Sequence, residues 1–105
     1  MRFVETTVFT RRITEVLSDE NYRLLQQALL QRPEQGSLIE GSNGLRKLRW
    51  KEEGRGKRGS LRVIYYWHPS RQSFLMLYVY RKNEQEDLTT KQKAMLARVV
   101  NQEFR

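Results

Sequence analysis

Leu61-Arg62-Val63-Ile64-Tyr65-Tyr66-Trp67, then the turn His68-Pro69-Ser70-Arg71-Gln72, then Phe74-Leu75-Met76-Leu77-Tyr78-Val79-Tyr80-Arg81: the fold is decided in this stretch. Both runs are dense in β-branched and aromatic residues and are separated by turn-forming ones, so they predict two strands of an antiparallel hairpin. Upstream, Leu45 to Lys51 is a third strand anchored by Trp50, set off by the turn Glu40-Gly41-Ser42-Asn43-Gly44. A glycine-rich loop from about Glu52 to Gly59 joins it to the hairpin.

Before these strands the pattern is helical. Arg2 to Glu5 reads as a short strand, Thr6 or Thr7 suits an N-cap, and Phe9, Ile13 and Leu17 recur on one helical face. Ser18 restarts the pattern, with Asp19 and Glu20 favourable to the helix dipole and Tyr22, Leu25 and Leu29 forming a second stripe. Pro33 and Gly36 end it, which makes an αα-hairpin. At the other end Thr89 or Thr90 caps a last helix, Thr89 with Gln92 fitting a capping box, and Leu96, Val99, Val100 and Phe104 supply its buried face. The predicted order is βααβββα in one α+β domain of 105 residues, with the helices on one face of a small, mostly antiparallel sheet.

Strand alternation assigns sides. Leu75, Leu77 and Val79 are aliphatic and are expected to face the helices. Phe74, Met76, Tyr78 and Tyr80 would then line the open face. A hairpin closed by a three-residue loop at Pro69-Ser70-Arg71 pairs Tyr66 with Phe74, Ile64 with Met76 and Arg62 with Tyr78. Arg62, Tyr80, Lys82 and the glycine-rich loop then converge at one end of that face. A slip of one residue would scatter the set.

Charge singles out the same region. Between Arg46 and Arg62 lie eight Lys or Arg against Glu52 and Glu53, so this stretch holds +6 of the chain's +8. Gly54, Gly56 and Gly59 let its backbone turn and approach a ligand closely. Concentrated cations of this kind point to a polyphosphate, hence a nucleic acid. Aromatics for stacking beside cations for phosphates suit single-stranded RNA. Tyr66, Tyr78 and Phe74 are equally readable as packing residues, and Tyr80, beside Lys82 at the strand end, is the better stacking candidate.

Other classes are excluded or disfavoured. Without cysteine there is no disulfide or thiolate metal site, and the single His68 leaves no pair of histidines for catalysis or metal binding. No apolar run approaches the roughly 18 residues of a membrane span. The polar mixture Met1-Arg2-Phe3-Val4-Glu5 does not read as a signal peptide, so a cytoplasmic location is expected.

Three segments carry a resemblance. Gly44-Leu45-Arg46-Lys47-Leu48-Arg49, Gly56-Lys57-Arg58-Gly59-Ser60-Leu61-Arg62-Val63-Ile64-Tyr65-Tyr66 and Tyr80-Arg81-Lys82-Asn83-Glu84-Gln85-Glu86-Asp87-Leu88-Thr89 resemble the HigB-like branch of the RelE/ParE toxin superfamily. The resemblance implies the compact RelE-like fold and the toxin of a type II toxin-antitoxin pair. It implies an endoribonuclease that enters the ribosomal A site and cuts mRNA there without a metal or other cofactor: the ribose 2′-hydroxyl attacks the adjacent phosphate and leaves a 2′,3′-cyclic phosphate. Arg62 matches the arginine held to stabilise the developing phosphorane charge. Lys82 lies where relatives place a basic residue for phosphate stabilisation or leaving-group protonation. Arg55, Lys57 and Arg58 occupy the loop that supplies further cations. One departure is that the stacking tyrosine of the best-known members falls near Leu88 here, so that role is vacant or passes to Tyr80.

Fixed cations can neutralise an in-line phosphoryl transition state without a metal. The catalytic candidates are accordingly Arg62, Lys82, Lys57 and Arg58, and the RNA-binding candidates Arg46, Lys47, Arg49, Arg55, Tyr80 and Arg81. Lys57 and Lys82 are alternative proton-transfer groups, and Glu84 is a third, with a surface ion pair the role its position favours. Two other functions fit the fold, a non-enzymatic gyrase poison of the ParE type and an RNA-binding module without chemistry. Expected partners are the ribosome with its mRNA and an antitoxin, itself DNA-binding, that lays acidic residues over the cationic face.

Overall fold

The computed structural model describes residues 1–51 and 60–104. Its order is β1 (Arg2–Glu5), α1 (Thr7–Val16), α2 (Asp19–Gln31), β2 (Ser37–Leu38), β3 (Arg46–Trp50), β4 (Leu61–His68), β5 (Ser73–Arg81) and α3 (Thr90–Glu103). The α+β order read from the sequence holds, with the two-residue β2 added. The sheet runs β1-β5-β4-β3-β2, with β1 parallel to β5 and every other pair antiparallel. The helices start where the caps predict: Thr6, Ser18 and Thr89 each accept a backbone N–H from three residues on, and Thr89 with Gln92 closes a capping box.

The expected hairpin register is corrected. Tyr66 pairs with Leu75, Trp67 with Phe74 and His68 with Ser73, around a 3-10 turn at Pro69–Arg71 whose following residue, Gln72, is left-handed at φ 47°. Farther along, Tyr65 pairs with Met76 but Ile64 with Tyr78, so Leu77 is the extra residue of a β-bulge. The bulge resets the alternation. Phe74, Met76 and Val79 join the core under α1 and α2, whereas Leu75, Leu77 and Tyr80 join a second core with Leu96 and Val100 of α3.

The helices therefore lie on both faces, not one: α1 and α2 cover one side of the sheet and α3 the other. Strict alternation would have left β5 one apolar face. A strand with a bulge and almost no polar residues buries both.

Two tethers fix the α2–β3 connection. The Tyr65 hydroxyl donates to Pro33 O at 2.7 Å and accepts from Gly36 N at 3.0 Å. A side chain on Gly36 has no room, since a Cβ there would lie 2.8 Å from Tyr65 Cε1. The outer edge of β5 is closed differently. Pairing with β1 ends at Glu5 opposite Met76, and past that point side chains replace a strand. Thr6 Oγ1 donates to Leu77 O at 2.9 Å, Arg12 Nε to Val79 O at 2.6 Å, and Arg81 N donates to Glu84 Oε1 at 2.7 Å. Arg12 also pairs with Glu84 at 3.0 Å and lies over the Tyr78 ring.

Candidate nucleic-acid interface

Cross-strand pairing sorts the cations by face, because residues directly opposite each other in an antiparallel ladder share a side. Arg49 pairs with Arg62, and Arg62 pairs with Tyr80, making one row across β3, β4 and β5 on the α3 side. The next row is Lys47, Ile64 and Tyr78. Lys82 N donates to Ser60 O at 3.1 Å, which continues the ladder one step past β5 and puts exposed Lys82 on the same side as Tyr80. Of the expected set, the structure thus brings Lys47, Arg49, Arg62, Tyr80 and Lys82 to one face. Arg55, Lys57 and Arg58 lie outside the described residues.

Arg46 and Arg81 fall on the opposite face, under α1 and α2, and each is engaged by carbonyl groups. Arg46 Nη1 donates to Glu34 O at 3.0 Å and to Gly36 O at 2.7 Å, and its Nη2 lies 3.6 Å from the Glu34 carboxylate. Arg81 Nη2 reaches Val16 O, at the C-terminal end of α1, at 3.5 Å. Both were expected to bind RNA. In the structure Arg46 tethers the connection after α2 and Arg81 reaches the end of α1.

Tyr80 also departs from expectation. Its ring is fully buried beside the α3 core, 5.9 Å from the Tyr78 ring, so it presents no face for a base to stack on. Its hydroxyl is buried with no hydrogen-bond partner among the described residues. Burial pushes the phenol pKa up, the Asp87 charge adds to this and Arg62 opposes it, so the group is protonated at neutral pH and available as a donor.

Arg62 is the other anomaly of the row. It is 6% exposed, yet among the described residues no carboxylate lies within ion-pair distance, and its guanidinium makes one long contact of 3.5 Å to Leu61 O. Buried cations are ordinarily paired. Arg49, opposite it, is exposed. Asp87, which sequence reasoning quoted but gave no role, feels the Arg62 charge. Asp87 pairs with Lys47 at 2.8 Å, and that hydrogen bond, with smaller help from Arg62 and Lys93, holds its carboxyl below the usual range. Lys93 of α3, also unforeseen, donates to Glu40 O at 3.0 Å.

His68 stands at the opposite end of β4 from Arg62. Its Nδ1 accepts from Arg71 N at 3.2 Å and its ring packs 4.5 Å from that of Phe104. Among the described residues no group of three or more His, Cys, Asp or Glu is placed to hold a metal, and no helix is long and apolar enough to cross a membrane.

No family model matches the sequence. Among solved structures, a double-arginine variant of the E. coli toxin RelE in the free state superimposes with a TM-score of 0.57, at 11% sequence identity, over 80% of this chain and 85% of the other. The chain has the RelE fold. At that identity it is the architecture that is shared. The cationic row is a property of this chain's own residues, carried on the three central strands of a RelE-fold sheet.

Proposed function

We propose that this chain is a ribosome-dependent mRNA endonuclease of the HigB-like kind, the toxin of a type II toxin-antitoxin pair, acting in the cytoplasm. The observation that carries the reading is Arg62. A cation 6% exposed and without an ion-pair partner among the described residues, flanked on its own face by Arg49, Lys47 and Lys82, is held ready for an anion. The fold, shared with a protein named as a toxin, supports the same reading.

In the reaction proposed, the ribose 2′-oxygen attacks the neighbouring phosphorus and the 5′-oxygen leaves, giving a 2′,3′-cyclic phosphate. Negative charge builds on the non-bridging oxygens, where Arg62 stabilises it. Lys82 sits at the strand end, exposed, to contact the same phosphate or the leaving oxygen. Lys57 and Arg58 extend this catalytic group from the loop, with Arg55 a further phosphate contact. Arg49 and Lys47 dock the strand. The ribosome supplies in-line alignment of the mRNA, which accounts for a sparse set of catalytic side chains. An antitoxin with an acidic segment covers the cationic face between rounds of activity.

Expression of the wild type and of Arg62→Ala in bacteria, with mapping of mRNA 5′ ends, tests the reading. Translation-dependent ends that appear with the wild type and vanish with Arg62→Ala are expected. Growth arrest by the wild type without such ends overturns it.

A further inference from the structure

Each buried polar group without a partner calls for a physical reason. Tyr80 is fully buried, and among the described residues its hydroxyl has no hydrogen-bond partner. Packing alone does not require the oxygen, since phenylalanine would fill the same space without stranding a hydroxyl. Directly opposite it on β4 stands Arg62, also buried and also under-bonded. Two buried donors poorly supplied with acceptors among the described residues, paired across one ladder and facing one side, call for the same object: an oxyanion.

We propose that Tyr80 and Arg62 form a single oxyanion-binding pair, in which the Tyr80 hydroxyl donates to a non-bridging oxygen of an RNA phosphate that Arg62 neutralises, and that in the free chain the Lys47–Asp87 ion pair closes this pair off from an anion. Tyr80 is then a hydrogen-bond donor to substrate, in place of the base-stacking residue expected from its position. Asp87 has the chemistry of the closure. Its carboxylate is bonded to Lys47 at 2.8 Å, one row along on the same face, and its charge acts on both Tyr80 and Arg62. Leu88, next in sequence, packs against the apolar cluster that contains Tyr80. An incoming phosphate takes over Lys47 from Asp87, and the Asp87 carboxylate is released from the cationic row. Asp87 is 72% exposed, so its release uncovers little apolar surface.

The inference rests on the endonuclease reading for its substrate, but its test does not need cleavage. Binding of a short single-stranded 2′-O-methyl RNA, which cannot be cut by its own 2′-oxygen, is measured by fluorescence anisotropy at low salt for the wild type, Tyr80→Phe and Asp87→Asn. Thermal unfolding and ribosome-coupled cleavage are followed in parallel. Tyr80→Phe is expected to melt at the wild-type temperature or higher, because it removes an unpaired buried hydroxyl. It should weaken RNA binding about tenfold and lower cleavage about ten- to hundredfold, the range for a hydrogen bond to a charged group. Asp87→Asn should tighten RNA binding several-fold.

A folded Tyr80→Phe protein with wild-type binding overturns the oxyanion pair. Should that variant fail to fold, the packing argument is wrong and the proposal falls with it. Unchanged or weaker binding by Asp87→Asn overturns the closure. If the wild type binds RNA with these variant effects yet never cleaves, the endonuclease reading fails and the anion pair stands.

Discussion

Arg62→Met separates function from stability at one position. Methionine keeps the length and apolar contacts of the arginine stem and removes the guanidinium. In the folded chain Arg62 is 6% exposed and, among the described residues, its guanidinium bonds one carbonyl at 3.5 Å, so the charge has lost most of its water with little in return. Replacing buried ionic groups with apolar ones of similar volume stabilises proteins by about 1–4 kcal/mol where it is favourable. Relief of like-charge repulsion from Arg49, directly opposite, adds about 0.2–1 kcal/mol. The solvated margin of the site reduces the first figure, and a net gain of about 1–2 kcal/mol is expected, a rise in Tm of roughly 4–16 °C for a domain near this size. Cleavage should move the other way, falling about 10²- to 10³-fold, as when one preorganised oxyanion donor is removed. Thermal denaturation followed by circular dichroism reads the first quantity and single-turnover cleavage of ribosome-bound mRNA the second. A variant that melts lower than the wild type, or that cleaves at the wild-type rate, would refute the claim that Arg62 is held unpaired for a substrate oxyanion.

Two other substitutions probe how the site is supported. Tyr65→Phe strands Gly36 N and Pro33 O in the connection after α2 and should cost about 2–4 kcal/mol in chemical denaturation, with the Tm falling accordingly. A loss under about 0.5 kcal/mol would show that these bonds contribute nothing net. Glu84 reports acid stability: the Arg81 N–H first, then Arg12, holds its carboxyl below the ordinary 4.5. A carboxylate depressed in the folded state stabilises above its unfolded value, and that contribution disappears as pH falls through the folded one. Glu84→Gln should therefore be less stable than the wild type at neutral pH, with the difference closing as the pH falls below the ordinary 4.5 and through the lower folded value, in denaturation curves taken across pH. A difference that does not vary with pH would count against the ion pair.

Most of the architecture could be read from local chemistry. Three threonine and serine caps, two helical stripes, and β4 and β5 as aromatic-rich runs all lie where the residues place them. The bulge at Leu77 could not be read. A run of Leu, Met, Leu, Tyr and Val contains no residue that marks a change of parity, so alternation alone chose the wrong face for α3 and displaced the hairpin register. The displacement near the site came to two residues, an even step, which preserved the face shared by Arg62 and Tyr80 and moved them into direct opposition. The site was therefore partly legible. Composition marked the basic stretch, but only pairing could separate Arg49 and Lys47 from Arg46 and Arg81, which bond carbonyl groups on the other face. Asp87 escaped notice because an acidic residue has no obvious place in a phosphate site until Lys47 is seen beside it.

The central claim is a metal-independent transesterification by the substrate's own 2′-oxygen, with Arg62 at the phosphate. The chemistry of the new 3′ end tests it most directly. Purified protein is incubated with ribosomes programmed with a defined mRNA, in parallel with an mRNA carrying a single 2′-deoxy residue on the 5′ side of the scissile phosphate, and the fragments are analysed by mass spectrometry. The account predicts a 2′,3′-cyclic phosphate, or the 3′-phosphate it opens to, from the first RNA and an intact second RNA. A free 3′-hydroxyl, or cleavage of the deoxy-substituted RNA at the same bond, would contradict it.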